Sequence, residues 1–193
     1  MLANLDMQVM ERKPVNLGAN NEDAVYTGQW SGSIRHGRGS LVWPNGQRYD
    51  GYWANDEMNG HGRLIYEDSS YYLGEFMNDM RNGPGKLVKP DGTVYEGDWV
   101  NDEKHGKGKE VWPDGEFEGD FLLGKRHGQG KFQMSDGLQY DGHFHEDKME
   151  GEGTYKWPNG SYYSGHFKDN AMSGYGVFNY SDGRVFKGNF EDD

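Results

Sequence analysis

The stretch YEGDWVNDEKHGKGKEVWPDG, residues 95–115, contains the pattern that decides the fold. It opens on an aromatic–x–Gly–x–aromatic unit from Tyr95 to Trp99, and a Gly-x-Gly pair follows at Gly106 and Gly108. Residues i, i+2 and i+4 of a β-strand lie on one face of a sheet, so both rings and the glycine between them share a face. The intervening residues are acidic. The stretch therefore predicts a half-buried antiparallel strand, apolar on one side and solvated on the other.

The same unit recurs along most of the chain, with a step of 23 residues everywhere except one step of 22. It starts at Tyr26, Tyr49, Tyr72, Tyr95, Phe117, Tyr140, Tyr163 and Phe186. A fixed period of this length marks a repeat architecture, in which each unit is one supersecondary element that buries its apolar face against its neighbours. We therefore divide the chain into a non-repeat segment or linker, 1–25, and an array of seven full repeats and a partial eighth, 26–193.

Turn signals separate the strands of the array. Pro-Asn-Gly and Pro-Asp-Gly elements, as at 44–46, predict a three-residue hairpin loop whose glycine adopts the left-handed conformation. Such a loop sets Leu41 opposite Tyr49 and Gly39 opposite Gly51. The predicted fold is all-β: an elongated, single-layer antiparallel sheet of tandem hairpins, an open solenoid-like array with almost no helix after residue 26.

The 22-residue repeat tests the register, because losing one residue moves every following side chain to the other face of a strand. A two-residue type I′ turn at Asp114-Gly115 would preserve the alternation. This turn predicts that Trp112 faces Phe117.

The polar face carries charges that the same registers bring together. The turn at 114–115 predicts Lys109 across from Asp120, and the three-residue loop at 135–137 predicts Lys131 across from Asp141. Each such pair contributes only about 0.2–1 kcal/mol, so we expect the pairs to fix register more than stability.

Units such as 95–115 resemble the MORN repeat (membrane occupation and recognition nexus), and the resemblance covers residues 26–193. In larger proteins MORN arrays accompany lysine methyltransferase or lipid-kinase domains, which this chain does not show. Short chains made of such repeats resemble ciliary radial-spoke and other axonemal or cytoskeletal MORN proteins. The resemblance therefore implies a non-catalytic scaffold or adaptor that binds protein partners in the cytoplasm or cytoskeleton, including the cilium or flagellum, with anionic phospholipid as the alternative ligand.

Composition narrows the class of protein further. The net charge of −12 argues against nucleic-acid binding, which requires a basic surface. The absence of cysteine excludes disulfides and thiolate chemistry, and the first 13 residues contain no apolar core of secretory length. We expect an intracellular protein, with its oligomeric state left open.

The histidines do not predict a metal or catalytic site. His36, His105 and His127 occupy the same repeat position, which indicates a structural role in a loop. His143 and His145 lie two apart on one strand, but no third ligand of suitable spacing accompanies them. We expect no metal, no cofactor and no enzymatic activity.

Two candidate binding surfaces remain. The first is an aromatic groove for a protein segment, formed by Trp30, Trp53, Phe76, Trp99, Phe121, Phe144 and Phe167. These rings also serve as core in any single-layer sheet, so both roles stay open. The second is a basic patch for an anionic lipid headgroup, formed by Lys104, Lys107, Lys125 and Arg126. The alternative is that these cations lie at a solvated edge of the sheet, where nearby acidic residues balance their charge.

The segment 1–25 matches no repeat. Leu2, Leu5, Val9 and Met10 form one apolar stripe if the segment is a short helix that ends before Pro14; a disordered tail is the alternative. The run 16–21 reads as a linker.

Overall fold

The computed structural model describes residues 10–11, 14–17 and 23–191. The chain divides into two compact units: unit 1 comprises residues 1–90 and 99–102, and unit 2 comprises 91–98 and 103–193. The described residues contain strands and turns and no helix. The all-β prediction is confirmed for this part of the chain. Most of the predicted N-terminal helix or tail lies outside the described residues.

The strands of unit 1 are β1 (Met10–Glu11), β2 (Val15–Asn16), β3 (Val25–Ser31), β4 (Ile34–Val42), β5 (Arg48–Ala54), β6 (Glu57–Ile65), β7 (Tyr71–Met77) and β8 (Met80–Val88). Those of unit 2 are β10 (Glu103–Trp112), β11 (Gly115–Leu122), β12 (Lys125–Met134), β13 (Gln139–His145), β14 (Lys148–Lys156), β15 (Tyr162–Lys168), β16 (Ala171–Asn179) and β17 (Val185–Phe190). Strand β9 (Val94–Val100) contributes residues to both units.

Each unit is one antiparallel layer in which consecutive strands pair. In unit 1, β3 to β8 pair in order, and both β1 and β2 pair with β3, Met10 facing Trp30 and Val15 facing Tyr26. In unit 2, strands β10 to β17 pair in order, from β10–β11 to β16–β17. The predicted single-layer antiparallel sheet of tandem hairpins is confirmed.

Two kinds of turn alternate along the chain. Within a hairpin, a two-residue turn such as Asn55-Asp56 has positive φ at both positions, 54° and 69°, as a type I′ turn requires. Between hairpins, the loop 44–46 places Gly46 at φ 89° and closes with a 3.0 Å bond from Trp43 N to Gln47 O. The three-residue loop is confirmed, as are the predicted pairs of Leu41 with Tyr49 and Gly39 with Gly51.

The prediction for the 22-residue repeat is wrong. Trp112 pairs with Gly115 rather than Phe117, so the turn residues are Pro113 and Asp114, neither of which has positive φ. Lys109 consequently lies across from Glu118, not Asp120. Proline at the first position of a two-residue loop fits negative φ and excludes the type I′ turn.

This register nevertheless keeps the glycines and the alternation aligned. Gly108 faces Gly119, as in the other repeats, and Lys131 faces Asp141 as predicted. The residue across from Phe117 is Glu110, where other hairpins place leucine or an aromatic residue.

The core is a ladder of rings laid over paired glycines. Tyr49 covers Gly51 and Gly62, where an added Cβ would lie 2.3 Å from the Tyr49 Oη and 2.4 Å from its Cε2. The Tyr49 hydroxyl then donates to the carbonyl of Tyr52 at 2.9 Å. Facing glycines therefore leave a gap that each repeat's first ring fills, and where that ring is a tyrosine its hydroxyl donates to a backbone carbonyl.

Candidate functional site

The sheet has two chemically different faces, which we name by their side chains in β5. The aromatic face is the side to which Tyr49 and Trp53 point, and the outer face is the side to which Asp50 and Tyr52 point. Tyr49 and Trp53 are buried, 0% and 4% exposed, whereas Tyr52 is 41% exposed.

The seven rings predicted to form a partner groove lie in the core. Their side chains are 3–6% exposed: Trp30, Trp53, Phe76, Trp99, Phe121, Phe144 and Phe167. Trp53, for example, makes edge-to-face contacts with Tyr49 and Tyr26 at centroid distances of 5.1 and 5.4 Å. These rings are thus already covered by the repeat's first ring, and their partner-binding role stays a prediction.

The accessible part of the aromatic face comes from the second strand of each hairpin and the loops beside it. In unit 2, half-buried side chains line a trough of about 360 Å³. Its apolar wall comprises Phe132, Met134, Leu138, Met149 and Tyr155. Phe132, Met134 and Tyr155 alternate with polar residues along β12 and β14, so their sequence period indicates one apolar face, but only the structure shows that this wall remains accessible.

Cations on the aromatic face sit over rings and are held by carboxylates. The Arg81 guanidinium lies 4.3 Å from the Trp99 ring centroid and 2.9 Å from Asp102 Oδ1. Arg35 repeats this arrangement on Trp53, at 4.4 Å, with Asp56. Their positive charges are therefore neutralised within the sheet.

In repeat 4 the cation of the aromatic face is a lysine, and its carboxylate partner comes from the same strand. Lys104 lies 4.8 Å from the Tyr95 ring centroid, and its Nζ bonds to Glu110. Both side chains are about one-fifth exposed, 19% and 21%. Glu110 stands where the other repeats place leucine or an aromatic residue.

The structure does not bring the predicted basic patch together. Lys104 and Arg126 belong to the aromatic face, where Arg126 is 3.3 Å from Asp147. Lys107 pairs with Asp120 at 2.7 Å, and Lys125 with Glu146 at 3.4 Å. Each of the four cations has its own carboxylate, so the lipid-binding role of this set stays a prediction.

Three of the seven histidines, His127, His143 and His145, line one open groove of unit 2. The rings of His127 and His145 lie 5.1 Å apart, and His143 Nε2 is 2.5 Å from Gln129 Nε2. Among the described residues no three histidines or carboxylates are arranged to hold a metal ion.

The resolved pKa shifts of the tyrosines arise from packing. Burial raises the pKa of Tyr26 to about 12. Burial also raises the pKa of Tyr49, Tyr72 and Tyr140 above the usual value for a phenol. These are the core phenols that donate to backbone carbonyls, so the shifts reflect the ladder and not acid–base chemistry.

The repeats match the MORN repeat family at residues 26–48, 49–71, 72–94, 95–116, 117–139, 140–162 and 163–183. The chain belongs to this family. MORN repeats are generally interaction modules for proteins or membranes, typically without catalytic activity. No protein of curated function matches the chain in sequence.

Two solved structures share a distant likeness with the chain. The TCP domain of SAS-4 from Drosophila melanogaster, in complex with a proline-rich motif of Ana2, is 14% identical over 80% of this chain and 85% of that chain, with a TM-score of 0.46. A point-mutant TCP10 domain of CPAP from Danio rerio is 12% identical over 93% of this chain and 100% of that chain, with a TM-score of 0.30.

None of the described residues forms a helix long and apolar enough to cross a bilayer.

Proposed function

We propose that the chain is a non-catalytic scaffold that binds an extended or helical segment of a partner protein along the aromatic face of unit 2. The assembly it serves is cytoskeletal, in the manner of axonemal and radial-spoke MORN proteins. The observation that carries the proposal is the apolar trough of about 360 Å³ between β12 and β14.

The trough has the features of a site for apolar side-chain anchors. Met134 and Met149 supply flexible, polarisable walls, and Phe132 and Tyr155 supply flat ones. Arg126 and Asp147 line it as a bonded pair, so no uncompensated charge opposes an apolar ligand. Binding energy would concentrate in the few side chains that the trough encloses.

Photo-cross-linking from inside the trough tests this proposal. A photoreactive phenylalanine analogue replaces Met134 in one variant and Val111 in the control; Val111 is 36% exposed on the outer face. Expressed in cells, the Met134 variant is expected to cross-link to a segment of another protein that the Val111 variant does not label. Identical cross-links from both positions, or none from Met134, would refute the proposal.

Anionic phospholipid is the second candidate ligand, because the β11–β12 turn exposes two leucines beside a lysine. Leu122 and Leu123 are 41% and 64% exposed, and Lys125 follows them. Exposed apolar residues flanked by cations are typical of membrane-contacting tips. Flotation with phosphatidylserine vesicles, lost on Leu123→Asn, would favour this candidate; Asn suits the left-handed φ of 50° at this position.

A further inference from the structure

The outer face of unit 1 carries a row of facing residues across six neighbouring strands, five of which contribute an apolar residue; we name these apolar residues the stripe. Val25 faces Val42, Ile65 faces Tyr71, and Tyr71 faces Val88, with Arg48 between Val42 and Ile65. Val25 and Val42 are 37% and 42% exposed. Leu73, two residues along β7 from Tyr71, is 52% exposed on the same face.

The repeat does not require apolar residues at these positions. In the equivalent row of unit 2, four successive strands carry polar residues that face one another: Glu116, Gln133, Gln139 and Lys156. The apolar residues of that row, Val111, Tyr162 and Val185, lie outside this run. The hairpins and facing glycines form in both units, so polar side chains suffice for the fold here. Folding alone therefore does not explain why the residues of this stripe are apolar and exposed.

Two guanidinium groups flank the stripe without a carboxylate partner. Arg38 Nη2 and Nε lie 2.7 and 2.9 Å from the Tyr52 hydroxyl, and Arg63 lies 4.7 Å from the Tyr71 ring centroid. Neither forms an ion pair with a described residue. Asp50, which faces Arg63, instead holds Arg48 at 2.6 Å.

These guanidinium groups contrast with those of the aromatic face, where Arg35 and Arg81 each have an aspartate. Arg38 and Arg63 are exposed, and each is oriented by a tyrosine. A guanidinium held in this way presents planar donors that match a carboxylate.

We propose that the outer face of unit 1 binds an acidic amphipathic helix of a partner protein, with apolar side chains on the stripe and carboxylates on Arg38 and Arg63. The inference goes beyond the proposed function, since it concerns a different unit and the opposite kind of face. It gives the scaffold a second binding surface.

The dimensions of the stripe fit such a helix. Six strands spaced at about 4.8 Å span roughly 24 Å, the length of about 16 helical residues. One helical turn rises about 5.4 Å, so apolar residues every three or four positions meet successive strands. Arg63 lies two residues from Ile65 on β6, and Arg38 lies four residues from Val42 on β4, so both reach the flanks of the helix.

Fluorescence anisotropy with two labelled peptides tests this inference on the full chain. The first is a helical peptide of about 18 residues with leucines at i, i+4, i+7 and i+11 and glutamates beside them; the second replaces every glutamate by lysine. Only the acidic peptide is expected to bind saturably. Arg38→Gln combined with Arg63→Gln, and Ile65→Gln combined with Leu73→Gln, are each expected to weaken binding roughly tenfold. Val111→Gln, at an exposed apolar residue of the outer face of unit 2, is the control and leaves the binding unchanged.

Several outcomes would overturn the inference. They are equal binding of the lysine peptide, no saturable binding of the acidic one, or unchanged affinity in both double variants. Glutamine occupies the equivalent row of unit 2, so the variants are expected to fold, and circular dichroism checks this. Ile65-dependent dimerisation in light scattering, or Ile65-dependent flotation with phosphatidylserine vesicles, would assign the stripe to a second copy or to lipid and reject the helix.

Discussion

Arg81 and Asp102, 21 residues apart, join two consecutive hairpins: the backbone N and the Nε of Arg81 both donate to Asp102 Oδ1 at 2.9 Å. The Asp102 amide donates back to the Arg81 carbonyl at 3.0 Å. The second residue of the type I′ turn thus holds the start of the preceding repeat's second strand. Asn170 makes the same bond to the Met149 amide at 2.8 Å.

Replacement of Asp102 tests this link between repeats. Asp102→Ala removes the acceptor, leaves the half-buried Arg81 without its carboxylate and places alanine at a positive φ of 68°. We expect a loss of about 2 kcal/mol in the free energy of unfolding, measured by urea denaturation. Asp102→Asn keeps the acceptor, as Asn170 does, and is expected to lose less than about 1 kcal/mol. Equal losses would contradict the account.

The glycines divide into two kinds that substitution separates. At Gly62 an added Cβ would lie 2.4 Å from Tyr49 Cε2, whereas at Gly46 it meets open space and only φ is unusual. Gly62→Ala is expected to destabilise the sheet by about 3 kcal/mol or more, and Gly46→Ala by about 1 kcal/mol. Thermal unfolding of both variants measures this. A Gly62→Ala variant as stable as Gly46→Ala would contradict the packing of Tyr49 over the glycines.

The Lys104–Glu110 ion pair is expected to contribute nothing net to stability. Three other repeats of this chain place apolar residues at both positions, as Met58 and Leu64 do, and the remaining three keep an arginine at the first position. Replacing a partly buried ion pair by packed apolar groups is often neutral or stabilising by about 1–2 kcal/mol. Lys104→Met combined with Glu110→Leu is therefore expected to match or exceed the parent in urea denaturation, while Glu110→Leu alone loses stability. A double variant clearly weaker than the parent would show the pair to be stabilising.

The buried phenols predict a loss of stability at alkaline pH. The pKa of Tyr26 is raised from 10.0 to about 12, so the folded state holds its proton more tightly than the unfolded state. The corresponding stability is fully present below about pH 10 and is lost as pH rises through about 12. Tyrosinate absorbance and circular dichroism, followed together, are expected to change in one transition. Full ionisation of the phenols without unfolding would contradict their burial.

Sequence predicted the sheet because one periodic signal repeats eight times. Local backbone geometry determines the alternation around Tyr49, the facing glycines and the loop at Gly46. The type of residue at each position is enough to constrain that geometry. The register at Pro113 was not predicted because two-residue turns at Pro113-Asp114 and at Asp114-Gly115 both shorten the repeat by one residue. The negative φ that proline imposes was the available signal.

The binding surfaces were harder to predict than the fold. Ring size suggested that Trp53 and its equivalents face a partner, but edge-to-face packing by Tyr49 buries them. Strand pairing decides which apolar side chains remain accessible. The sequence period alone does not predict this accessibility. The cations of the basic patch are divided between the two faces: Lys104 lies on the aromatic face and Lys107 on the outer face, since an odd spacing along a strand changes the face.

The central claim is tested most directly by measuring how tightly trough variants bind the partner segment that cross-linking identifies. Met134→Gln combined with Met149→Gln alters two half-buried side chains of the trough wall and no residue of the ring ladder. We expect this variant to bind the segment at least about tenfold more weakly than the parent, at an unchanged thermal midpoint, with Val111→Gln as the matched control. Unchanged affinity in a folded Met134→Gln, Met149→Gln variant would contradict binding at the trough.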